Sequence, residues 1–149
     1  LDESGKEIAS FIFNKLKNTI KLVCNIDNKE NFINEYAEDC ITVADNIFSY
    51  VKLIKNEKVT LYRAIGLNTE NDLNKNNFGL CWSADINFCK QWAAIELKNY
   101  KVKILVSANF DIKDIDWVQT IFLNLQAPDE VEFRIYKSSK PKNIEFSII

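Results

Sequence analysis

The chain has 149 residues, 47% apolar and 12% aromatic, with a formal net charge of −2. This length supports one domain with a real core, and the composition excludes a disordered chain. The charge balance leaves no electrostatic footprint for duplex nucleic acid, and no run reaches the roughly eighteen apolar residues of a membrane span.

Residue types narrow the chemistry further. The chain contains no His, which removes Ser-His and Cys-His hydrolysis and His-based proton transfer. Its four cysteines, Cys24, Cys40, Cys81 and Cys89, form no C-x-x-C pair, so a zinc site is not expected and all four read as reduced thiols of a cytoplasmic protein. Among 19 basic residues only Arg63 and Arg134 are Arg. In a chain that otherwise uses Lys, these two mark sites for bidentate contact with phosphate or carboxylate. No signal peptide is visible at Leu1-Asp2-Glu3-Ser4. The chain also lacks Met, so Leu1 is not expected to be the translated start, which leaves room for a leader or a further domain before it.

Residues 3–24 carry Ile8, Phe11, Ile12, Leu16, Ile20 and Val23 at helical spacing, with Ser4 and Glu7 as a capping box. Phe32, Tyr36, Cys40, Val43, Ile47, Val51 and Ile54 predict a second long helix, or two joined end to end. Both read as packing elements. At residues 58–65 the period changes to two, with Val59, Leu61, Arg63 and Ile65 on one face. An Arg among apolar side chains needs an anion, either a structural carboxylate or a bound phosphate or ribose. An Asn-rich loop follows over residues 66–78. Gly79-Leu80-Cys81-Trp82-Ser83-Ala84-Asp85 then predicts a short strand and turn, with Ser83 or Asp85 capping a helix striped by Phe88, Cys89, Trp92, Ala93 and Leu97. Residues 102–107 predict another strand. Residues 117–125 are apolar for a connection: either a short helix buries Trp117, Phe122 and Leu125, or they meet a partner. A Lys/Ser/Pro turn at residues 137–142 leads to a last strand at 144–149.

Residues 129–135 predict a strand in which Val131, Phe133 and Ile135 alternate with Glu130, Glu132 and Arg134. Two strand steps would put Glu130 and Glu132 on one face, roughly 6.6 Å apart. Such carboxylates repel, and one is pushed up in pKa unless a cation is near. A solvated face tolerates this at little cost, whereas in a cleft it serves chemistry. Helices first, then mostly strands with one helix, predict an α+β domain over residues 1–149, with a helical part at 1–57 and a β-rich core at 58–149.

Three signals line up in order: Arg63 in Leu61-Tyr62-Arg63, the Gly79-x-x-Trp82-Ser83 turn into a helix, and Glu130-x-Glu132. This order resembles the R-S-E class of mono-ADP-ribosyltransferases, in particular divergent bacterial and phage-type members. Trp82-Ser83-Ala84 stands where the family carries Ser-Thr-Ser. The resemblance implies a mainly antiparallel two-sheet core and a toxin or effector that transfers ADP-ribose from NAD, releasing nicotinamide. It further implies Glu132 against the ribose, Glu130 toward the acceptor, Arg63 on the diphosphate or ribose, and Ser83 hydrogen-bonded to Glu132. Trp82 would pack near the nicotinamide or in the core, and Tyr62 and Tyr136 would wall the site. Arg134 would pair with a Glu. Residues 117–129 would take the place of the family's substrate-recognition turns. The expected partners are NAD and a macromolecular acceptor, protein in preference to nucleic acid, with the chain acting as a monomer and at no membrane. Hydrolysis of NAD by water is the alternative enzyme reading. A catalytically inactive binding or inhibitor domain of the same fold is the alternative outside enzymes.

Overall fold

A computed structural model describes residues 58–75 and 77–149, together with the helical positions Asn14, Thr42, Val43, Asn46 and Ile47. The expected helices at residues 3–24 and 28–56 otherwise lie outside the described residues. Ile47, on the apolar stripe of the second pattern, is fully buried in the main core.

The described residues form an α+β arrangement of five strands and two α-helices. Strands β1 (Lys58–Leu67), β2 (Cys81–Ser83), β3 (Val102–Asp111), β4 (Glu132–Arg134) and β5 (Lys142–Ile148) make one antiparallel sheet in the order β4-β2-β1-β3-β5. The described residues form this one sheet, and the second sheet that the resemblance implies is not among them. Helix α1 (Ile86–Glu96) follows β2, and α2 (Trp117–Gln126) follows β3. No helix among the described residues is long and apolar enough to cross a membrane.

Period-two patterning sorts the two sheet faces. Val59 and Leu61 on β1 lie opposite Phe110 and Ala108 on β3, and all four are buried in the main core with Trp82 and Phe133. Ala64 lies on the other face and packs with Ala93 of α1 and with Leu97 at its C-terminal cap. Asp85 is the cap of α1, its carboxylate accepting from the N–H groups of Asn87 and Phe88. The apolar residues 117–125 form α2, in which Trp117 and Ile121 are buried and Phe122 and Leu125 pack against the core. Burial in a short helix is thus the reading that holds for this stretch.

A polar stripe on α2 closes the free edge of β4. An edge strand exposes unpaired backbone groups that must be covered or satisfied. Here the Thr120 hydroxyl accepts from the Arg134 N–H at 3.0 Å, and Asn124 Nδ2 donates to the Glu132 carbonyl at 2.7 Å. The Asp116 N–H donates to the Arg134 carbonyl. Asp116, Thr120 and Asn124 recur every four residues, so they share one helix face. Thr120→Val keeps the shape and deletes the hydroxyl, leaving a buried strand N–H unpaired. Urea unfolding should show a loss of about 1–3 kcal/mol. The exposed neighbour variant Gln119→Ala should stay within about 0.5 kcal/mol of the parent.

Candidate active site

β1 and β2 are paired only at Tyr62 and Ser83. Beyond that pair the strands part, and a cavity of about 230 Å³ opens, walled by α1 and the residues before β4. Arg63, Ser83, Glu130 and Glu132 all line it, as do Tyr62 and Trp82. Segments separated by nearly half the chain thus bring the predicted site residues to one place.

Arg63 lies opposite the buried Val106, on the core face as its spacing predicts. Its Nη1 donates to the Cys81 carbonyl across the parting of the strands. Among the described residues no carboxylate forms an ion pair with it, so the structural salt bridge weighed from sequence is not present there. Gly79 makes room for the guanidinium. It has φ +82°, and a Cβ on it would stand 3.1 Å from the Arg63 guanidinium carbon. Left-handed φ and this close approach both call for glycine.

The glutamates depart from the sequence reading. Glu130 is not in the strand. Pro128–Glu130 forms a 3-10 turn, Val131 adopts φ 45° and ψ 49°, and β4 begins only at Glu132. Pro128 at the first turn position starts the 3-10 turn, and the left-handed residue then breaks the strand alternation, so Glu130 and Glu132 do not share a pleat. They reach the same cavity by a kink. A β-branched residue in this region is strained, by about 1–3 kcal/mol. Two contacts hold it: the Ala84 N–H donates to the Val131 carbonyl at 3.1 Å, and the Ser83 hydroxyl donates to the Glu130 carbonyl at 2.7 Å.

Ser83 therefore does not bond the Glu132 side chain as expected. Its hydroxyl holds the backbone of Glu130 and accepts from the Asp85 N–H at 3.0 Å. Ser83 and Glu132 are direct partners across β2 and β4, so their side chains still share the cavity face. Trp82 belongs to the core. Its ring packs edge-on against Phe78 and Phe110, and its indole N–H donates to the Gly79 carbonyl at 3.2 Å. Arg134 donates to Cys81 Sγ at 3.1 Å and forms no ion pair with a Glu among the described residues. Tyr136 does not line this cavity.

Phe88 and Trp92 of α1 also line the cavity, Trp92 with 40% of its surface exposed. Sequence reasoning placed both on a packing stripe. Their four-residue spacing is visible, but which helix face meets a cavity is a tertiary fact. Cys89 lines the cavity too, and burial pushes its thiol from the ordinary 9.0 up to about 11. Comparison with protein-family models, curated proteins and solved structures finds no match to this chain.

The Cys89 shift has a pH consequence. Below pH 9 the folded and unfolded states both hold the thiol proton. Between about pH 9 and about pH 11 only the unfolded state releases it, so stability falls with rising pH by up to about 3 kcal/mol. Cys89→Ala should flatten that part of the stability-against-pH curve measured by urea unfolding, and intact Cys89 should resist alkylation by iodoacetamide at pH 8.

Proposed function

We propose that the chain is an NAD-dependent mono-ADP-ribosyltransferase that moves ADP-ribose to a macromolecular acceptor, in the manner of a toxin or effector. The observation that carries this reading is the single cavity gathering Arg63, Ser83, Glu130 and Glu132. At about 230 Å³ the cavity is smaller than a pocket that encloses a whole drug-sized ligand, so in this reading it would take the nicotinamide–ribose end of NAD, with the adenosine half outside it.

In this reading the bond between the ribose C1′ and the nicotinamide nitrogen breaks, and nicotinamide leaves with the bonding pair as a neutral molecule. Positive charge builds on the sugar. The Glu132 carboxylate stabilises it and accepts from the 2′-hydroxyl. An acceptor lone pair then bonds C1′, and its proton passes to Glu130. Arg63, with no carboxylate partner among the described residues, supplies the fork for the diphosphate or ribose. Ser83 acts on backbone, setting where Glu130 stands.

Nicotinamide release and label incorporation from NAD, followed in one tube with a cell lysate as acceptor source, test this reading. Glu132→Ala should cost a hundredfold or more in both, on the order expected when transition-state charge loses its stabiliser, while the protein stays folded. Glu130→Gln should lower the ratio of transfer to hydrolysis at least about tenfold. Release without any incorporation would mark a glycohydrolase. No release by the parent protein would mark a binding domain.

A further inference from the structure

On the opposite side of β2 a larger hollow of about 470 Å³ lies between the loop before β2 and the turn after β4. Trp82 is in the walls of both cavities. Lys75, Lys137 and Lys140 line this second hollow, and among the described residues no Asp or Glu does. That is a strong local imbalance in a chain with 21 acidic and 19 basic residues. The floor is aromatic, from Trp82 and Phe110, and Tyr136 stands in the wall with 40% of its surface exposed. Lys75 Nζ lies 5.9 Å from the centre of the Phe146 ring, which packs in turn against Phe78 in the wall of the hollow.

Ammonium groups around an apolar and aromatic hollow suit a ligand with an anionic end and a planar body. The volume falls in the range of small-ligand sites, about 300–1,000 Å³. We propose that this groove binds a nucleotide through its phosphate, as a free mononucleotide or as one unit of a single strand. Lysine point charges would meet the phosphate, and Tyr136 would offer its ring to the base. This site is separate from the candidate active site and does not depend on the transferase reading.

The test titrates the whole chain with uridine monophosphate, a uridine hexanucleotide and inorganic phosphate, at salt from about 50 to about 200 mM. Lys137 and Lys140 are exposed, so the double variant Lys137→Glu/Lys140→Glu should fold. It should bind the uridine ligand at least about tenfold more weakly, whereas Lys98→Glu, a charge reversal at an exposed lysine outside both cavities, should bind it as the parent does. Three phosphate contacts along a strand predict a slope of log affinity against log salt of about −2, and the double variant should flatten it. Binding of the monophosphate as tight as the hexamer makes the free nucleotide the ligand; tighter binding of the hexamer makes it the strand. The proposal is overturned if neither uridine ligand binds, if charge reversal leaves binding unchanged, or if inorganic phosphate binds as tightly as both.

Discussion

The hydroxyl of Ser83 is the interaction on which the candidate site depends. Ser83 is 5% exposed, and its one oxygen donates to the Glu130 carbonyl and accepts from the Asp85 N–H. It therefore ties together β2, the cap of α1 and the turn that carries the first glutamate. The strained Val131 lies inside this tie. Its left-handed backbone persists because its side chain is buried and its carbonyl is held by Ala84. Strain of this kind survives only where the surroundings over-determine it. Here it turns Glu130 toward a cavity that a straight strand would direct it to by another route.

The rest of the sheet sets the frame for that tie. Ten paired positions join β1 to β3, while a single pair joins β1 to β2. The long ladder makes a rigid wall, and the short one lets the sheet open where Arg63 emerges. On the outer side, α2 closes the edge of β4 with Thr120 and Asn124, so Glu132 stands on a strand paired on both sides. An apolar helix would bury its own surface and leave those edge groups unmet.

Much of this frame was legible in the sequence. Alternation placed β1 and put Arg63 on the core face, and an apolar run placed the first part of β3, which continues past the expected residue 107 to Asp111. The Asp85 cap and the α1 stripe followed from local rules. The position of Glu130 was not legible, because Val131, Phe133 and Ile135 alternate identically whether residue 131 is extended or left-handed. The role of Ser83 was missed for a related reason: a hydroxyl that bonds a distant carbonyl carries no local pattern. Trp82 was open between core and site, and the rings of Phe78 and Phe110 decide it for the core. The four-residue spacing of Asp116, Thr120 and Asn124 can be read along the chain, but its partner is an edge strand fixed only by the fold.

The central claim is that Arg63, free of a carboxylate partner among the described residues, is held in the cavity to bind an anionic ligand. Calorimetric titration with NAD, run beside a thermal melt, tests it most directly on the parent and Arg63→Lys proteins. Lys keeps the charge but not the bidentate fork. The account predicts that the parent binds NAD, and that Arg63→Lys binds it at least about tenfold more weakly, a difference of roughly 1.4 kcal/mol, with little change in melting temperature. A variant that melts lower yet binds NAD as the parent does would contradict it.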